Sequence, residues 1–294
     1  MKQKVALVLS GGGAKGLVHI GVIEELEKQG FEISSIAGTS MGSVIGAVYA
    51  LGKLQEFKQW MLGFEKIDVF KLLDFTFSSQ GLIKGDKVFN KMKQFTGDSN
   101  IESLRIPFTA VAVDIINKKE VVFNSGDIYN AIRASVAIPT VFTPVKTKEG
   151  LLVDGGILNN IPFSRVIRTE GDILVGVNVN ANIPVVEPKI SKEDNQKRQS
   201  AYLRKIQKFK ANLNKIYGKE KDNIGYFKLI DRTISLMIDH NAQVSLRDYN
   251  PEILIETSRD LCSTFDFYKA KRIIEAGRFA ANLKLTDWKN NNNN

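Results

Sequence analysis

The chain is poor in the side chains that cross-link or that act as bases at neutral pH: it has one cysteine and two histidines in 294 residues. With Cys262 alone no intrachain disulfide can form, which suits a reducing cytoplasm, although an exported effector would share the trait. The expected role of Cys262 is that of a small buried hydrophobe. A mechanism that needs a histidine has only His19 and His240 to draw on. No apolar run is long enough to span a bilayer, and the N-terminus enters a strand-like segment without an h-region or cleavage site. Neither a transmembrane helix nor a signal peptide is therefore expected, and a cytoplasmic location is, with peripheral membrane contact left open. No internal repeat is visible. The absence of zinc spacing, a helix-turn-helix signature and an aromatic-rich sheet motif argues against nucleic acid as a partner. No cofactor-binding or metal site is expected.

Against these absences stands one informative segment, Gly38-Thr39-Ser40-Met41-Gly42. It places a serine at a glycine-flanked corner between the strand-like Ile33 to Ala37 and the helix-like Ser43 to Ala50. That is the form of a nucleophile elbow, in which a strained strand-to-helix turn exposes the hydroxyl and leaves no room for side chains two residues either side. A glycine turn without chemistry would read the same in isolation.

Upstream, Val5 to Ser10 runs into Gly11-Gly12-Gly13-Ala14-Lys15-Gly16 and then a helical pattern through Val18, Val22, Ile23 and Leu26. Backbone amides converging at a helix start can stabilise a phosphate or an oxyanion. A dinucleotide fingerprint needs an acidic residue at the end of the next strand, whereas Glu32 falls at its start. A Walker A loop needs Lys and Ser or Thr where Leu17 and Val18 stand. The oxyanion reading also gives Ser40 a reason. A third segment, Leu151 to Gly156, ends an apolar strand in Asp154-Gly155-Gly156: either a carboxylate placed as general base or an Asp-Gly turn.

The strand candidates at 4–10, 33–38, 107–113, 119–124, 150–154 and 172–179 alternate with helical runs, predicting an α/β fold whose mainly parallel sheet is covered on both faces. Asp86, Asp127 and Asp266 are expected N-caps, and Pro162 an early helical residue. One domain over residues 1–289 is expected, with 290–294 a disordered low-complexity tail.

The three segments together, in order and spacing, resemble the patatin-like phospholipases, a family of serine lipid acyl hydrolases. Ala134 to Pro139 with Phe142, Pro144 and Val145, and Asn160-Ile161-Pro162, are similar to the family's segments around the aspartate. Gly81 to Asp86 looks like bacterial members related to the neuropathy target esterase catalytic domain. The likeness covers residues 4 to 180, fades past 185 and returns at Phe265 to Tyr268. It implies a three-layer α/β/α sandwich and a Ser40–Asp154 dyad working without histidine, with Gly11, Gly12, Gly13 and Met41 supplying the oxyanion hole. His19 is expected in the core. His240 is the rival base, since Ser40, Asp154 and His240 follow α/β-hydrolase order, although that fold brings its elbow after several strands.

The expected function is a phospholipase A or lysophospholipase type of lipid acyl hydrolase acting on a lipid or fatty ester. The alternatives are a soluble esterase or thioesterase, and a catalytically silent lipid-binding protein. Substrate delivery has a candidate in the charge distribution. Of a net charge of +9, residues 189 to 228 hold twelve Lys or Arg against four Asp or Glu. Leu203, Ile206, Phe209, Leu213, Ile216 and Tyr217 recur at helical spacing among these bases. A basic helical hairpin over about 189–245 is expected, with residues 197–217 either meeting an anionic membrane or packing on the core with their lysines in water. Phe57 to Phe77, rich in Phe, Trp, Met and Leu, is expected to line an acyl pocket or to complete the core.

Overall fold

The computed structural model describes residues 2–72, 74–78, 81–186 and 226–292. In chain order its strands and α-helices are β1 (Gln3–Leu9), α1 (Val18–Lys28), β2 (Phe31–Thr39), α2 (Met41–Ala50), α3 (Leu54–Leu62), α4 (Lys66–Leu72), β3 (Phe75–Ser78), β4 (Gly81–Ile83), α5 (Asp86–Thr96), β5 (Phe108–Asp114), β6 (Lys119–Phe123), α6 (Ile128–Ser135), β7 (Thr140–Phe142), β8 (Val145–Lys146), β9 (Leu151–Asp154), β10 (Asp172–Ala181), α7 (Tyr226–Asp248), β11 (Ile253–Ser258) and α8 (Ala270–Asn292).

The main sheet follows the order β11-β10-β1-β2-β5-β9-β8, with β6 also paired to β5. The run from β11 to β5 is parallel, whereas β6 and β9 pair with β5 antiparallel and β8 pairs with β9 antiparallel. The sheet is thus mixed beyond β5, because short hairpin-like returns replace helical crossovers there. β1 shows why a central strand reads as continuously apolar. Val5, Leu7 and Leu9 enter the large core beneath α1, α2 and α8, while Ala6 and Val8 enter a smaller core with Ile161, Phe163 and Ala242 of α7. Helices cover both faces, giving the α/β architecture expected, and α1 packs along α8.

A second, smaller sheet has the order β3-β4-β7. β11 and the three short strands β3, β4 and β7 were not among the expected elements. Asp127 caps α6 as expected, its carboxylate accepting the Asn130 N–H at 2.7 Å. Asp86 does not cap α5: Gly85 is the capping residue, and the carboxylate of Asp74 accepts the N–H groups of Gly85 at 2.6 Å and Asp86 at 2.9 Å. A carboxylate eleven residues upstream therefore does the work assigned to the local one. Asp266 precedes only a 3₁₀ turn and makes no cap bond, its carboxylate bonding Ser263 N–H and Lys269 instead. Pro162 likewise precedes a 3₁₀ turn rather than opening an α-helix. The asparagine tail is corrected too: α8 continues through Asn292, whose amide donates to Trp288 O at 2.8 Å. Residues 197–217, with most of the expected basic hairpin, lie outside the described residues; α7 accounts for its second run.

Replacing Asp74 by Ala is expected to destabilise the fold by about 1 kcal/mol, the ordinary cost of a lost cap, while Asp86→Ala changes it by less. Thermal melts of the two variants check this, and equal effects would return the cap to Asp86.

Candidate active site

The two candidate catalytic residues reach one place through strand register. β5 lies between β2 and β9, with Thr39 opposite Val111 and Asp154 opposite Ala112. Ser40 and the Asp154 carboxylate thus stand at neighbouring levels across one strand, roughly 10 Å of backbone separation at the usual strand spacing, which their side chains close.

Ser40 occupies the corner between β2 and α2 with φ 52° and ψ −126°, a backbone state that L residues rarely adopt. Contacts hold it there. Its N–H donates to Ser135 Oγ at 2.8 Å, and its carbonyl accepts from Ser43 Oγ at 2.6 Å and Ser43 N at 2.9 Å. The glycines flanking it are required by space, since a Cβ on Gly42 would meet Leu9 O at 2.3 Å and one on Gly38 would meet Gly42 itself at 2.5 Å.

Asp154 ends β9 and is buried. Its N–H donates to Ala137 O at 2.9 Å, and its Oδ1 accepts from Gly156 N–H at 2.8 Å. Oδ2 has no closed hydrogen bond, yet the Ser40 side chain lies near enough to favour the ionised carboxylate. Burial outweighs both favourable interactions and pushes the Asp154 carboxyl up to about 6. Such a group is ionised at neutral pH and still basic enough to take a proton.

Of the predicted oxyanion donors, Gly11 is otherwise engaged: its N–H donates to Asn160 O at 3.2 Å. Gly13 opens a 3₁₀ turn and Met41 opens α2, so their amides have no intrahelical acceptor. Among the described residues no carbonyl accepts from Gly12, Gly13 or Met41. The loop is anchored behind, with Gly11 O accepting from Asn180 Nδ2 at 2.7 Å and Ala14 N–H donating to Thr264 O at 2.9 Å.

Neither histidine joins the pair. His19 is buried in α1, donates from Nε2 to Ser10 O at 2.8 Å, and is held neutral by burial, its pKa lowered to about 4. His240 is exposed on α7 and makes no hydrogen bond to Ser40 or Asp154. α7 nonetheless borders the site: Asn241 Nδ2 donates to Ile157 O at 2.6 Å in the turn that follows Asp154. Cys262 is half-buried, with its thiol pushed up to about 11 chiefly by burial. No cluster of potential metal ligands occurs among the described residues.

An apolar pocket with about 120 Å³ of free interior opens onto Ser40. Phe57, Trp60, Met61 and Phe64 from α3 and its end, Phe89 and Met92 from α5, and Phe265 and Phe267 contribute to its wall. The aromatic-rich segment thus lines an apolar pocket and also completes the core, since Phe57 and Met61 are core residues too. Phe70, Leu72, Leu73, Phe75 and Phe77 lie outside the described side chains. Sequence reasoning assigned no role to Ser135 or to the Asn160 carbonyl. Both lie in segments singled out by the resemblance, but contacts across 95 residues leave no local signature.

The family profile described as patatin-like phospholipase matches residues 7–167. An uncharacterized NTE family protein of Mycobacterium tuberculosis is 31% identical over 96% of this chain and 91% of its own length. The lysophospholipase NTE1 of Coccidioides immitis is 32% identical over 61% of this chain and 12% of its own. In fold, the chain resembles the crystal structure of VipD from Legionella pneumophila, with a TM-score of 0.53 at 15% identity, covering 97% of this chain and 67% of that one. The chain belongs to the patatin-like phospholipase family, and is a hydrolase of ester bonds acting in lipid chemistry.

Asp154→Asn is expected to raise stability at pH 8. The wild-type carboxyl is harder to ionise folded than unfolded, so the folded state binds the extra proton and stability falls as pH rises from 3.8 to about 6, staying low above it. The two-unit difference corresponds to about 3 kcal/mol as an upper figure. Urea melts across pH should show the advantage of the variant shrinking below pH 6 and vanishing near pH 4; an advantage independent of pH would remove the elevated pKa.

Proposed function

We propose that the protein is a serine lipid acyl hydrolase of the phospholipase A or lysophospholipase type, working through a Ser40–Asp154 dyad and an acyl-enzyme. The observation that carries this reading is the apolar pocket whose wall includes Ser40 itself. A pocket lined almost wholly by hydrocarbon and aromatic rings accepts a fatty acyl chain and places its carboxyl ester at the polar end.

In the first half-reaction Ser40 Oγ attacks the ester carbonyl carbon while its proton passes to Asp154. The carbonyl oxygen becomes anionic and is held by the amides of Gly12 and Gly13, with Met41 N–H and the start of α2 adding to the same field. The intermediate collapses, the C–O bond to the alcohol breaks, and Asp154 returns the proton to the leaving oxygen. In the second half, Asp154 takes a proton from water, the hydroxide oxygen attacks the acyl carbon, and Ser40 leaves with the proton as the fatty acid is released.

Substrate sits in a lipid surface, and features around α7 support contact with one. Leu229, Leu236 and Met237 are 53%, 69% and 40% exposed. The sequence just before α7, residues 189 to 228, carries the chain's excess of positive charge. Exposed apolar groups on a helix that follows a basic stretch in the sequence suit an anionic bilayer. No described helix is long and apolar enough to cross a membrane.

Ser40→Ala and Asp154→Asn are each expected to lower turnover of a long-chain p-nitrophenyl ester by at least about 10³-fold. In the wild type kcat/KM should rise with pH to a plateau above about 6, where Asp154 is ionised. Full activity in either variant would overturn the dyad, and mass spectrometry of products from a mixed lipid extract, read beside Ser40→Ala, identifies the acyl donor. In flotation assays the wild type should rise with vesicles containing anionic lipid, and Leu236→Glu together with Met237→Glu should reduce that fraction several-fold. Equal flotation of the two proteins would exclude α7 as the contact.

A further inference from the structure

Asn160 is a buried polar residue to which the chemistry above gives no task. It is 1% exposed, and its Nδ2 has no hydrogen-bond partner. A buried amide left unbonded is destabilising, so its retention asks for a reason.

The position supplies one. A Cβ on Gly11 would lie 2.7 Å from Asn160 Oδ1 and 3.0 Å from Ser40 Cβ, and a Cβ on Gly156 would lie 3.1 Å from both Asn160 Oδ1 and Asp154 Oδ1. The carboxamide therefore fills a cradle between the Ser40 side and the Asp154 side, and both walls of that cradle are glycine. A half-turn of the amide exchanges nitrogen and oxygen in the same space, so an N–H can face either neighbour. The main chain of the same residue is fixed to the glycine loop, since Asn160 O accepts the Gly11 N–H at 3.2 Å. That bond withdraws Gly11 as an oxyanion donor and at the same point holds the carboxamide on the Ser40 side, where the half-turn of the amide would bring an N–H in place of Oδ1.

Each of the two side chains that meet at this cradle keeps one buried atom unbonded, Nδ2 of Asn160 and Oδ2 of Asp154. The carboxylate oxygen is the acceptor for the Ser40 proton, which leaves the amide for the charge that appears on substrate. We propose that Asn160 Nδ2 donates a hydrogen bond to the scissile carbonyl oxygen as it becomes anionic, completing the hole formed by Gly12 and Gly13. The inference rests on Ser40 being the nucleophile.

The test compares Asn160→Ala, Asn160→Ser and Asn160→Asp with the wild type on a long-chain p-nitrophenyl ester and on an alkyl trifluoromethyl ketone, which adds reversibly to a serine and forms a tetrahedral oxyanion. Loss of one such donor lowers kcat about 10²–10³-fold. The expected result is that loss in Asn160→Ala, KM within about threefold of wild type, and a ketone Ki raised by the same factor as kcat/KM falls. A purely structural role would instead lower the melting temperature and raise KM, with the ratio of Ki to KM constant. That pattern, or a kcat within about threefold of wild type, would overturn the proposal. Should Asn160→Ala not fold, Asn160→Ser gives the same comparison. Ser40→Ala, run in parallel, separates the two readings: if it is inactive while Asn160→Ala is unimpaired, only the role of Asn160 fails, whereas an active Ser40→Ala removes the nucleophile on which both depend.

Discussion

The end of α6 is the constraint on which the site depends. Ser135 Oγ accepts the N–H of Ser40, and two residues later Ala137 O accepts the N–H of Asp154. One short turn thus sets the backbone positions of two residues 114 apart in sequence. The bond to Ser40 also offsets a positive-φ conformation that would otherwise cost of order 1–3 kcal/mol. Asp127 at the other end of α6 fixes where that helix begins, and so indirectly where its last turn falls.

Electrostatics in the site follow from what water cannot reach. The carboxylate of Asp154 has one main-chain donor, a loosely placed hydroxyl and no cation, so desolvation prevails and its affinity for a proton rises. The same effect acts in the opposite direction on His19, which remains neutral and structural. A single buried carboxyl with its pKa raised to about 6 has the basicity that the proposed dyad asks of it without a histidine. It also makes the site a place where stability is lost for function, because the ionised form is the useful one and the harder one to bury.

Much of this was legible in the chain. Each of the three glycine-bearing segments follows a strand and precedes a turn or helix, so Ser40, the Gly11 to Gly13 loop and Asp154 stand out as candidates by local pattern, and their combination in the order of a known family gives them roles. The six expected strands all exist, within a residue or two at their ends. What local pattern could not show is which amide is already spoken for. Gly11 is disqualified by Asn160, 149 positions away, and the helix cap at Asp86 is displaced by Asp74. Those are decisions of tertiary structure, invisible to spacing. β11 escaped because its sequence, Ile253 to Ser258, alternates only briefly and pairs in parallel with β10 from the far end of the chain.

One side of the apolar pocket comes from α3, α4 and α5, between the elbow and β5, and the rest from the segments of Gly13, Ser40 and Met41, the stretch after α6 and Thr264 to Phe267. The cavity and the serine corner are therefore joined, with Gly13, Ser40 and Met41 belonging to both. Phe57, Met61, Phe89 and Met92 also belong to the core that includes Met41 and Val44, so a change of cavity shape there is transmitted to the helix that begins beside Ser40.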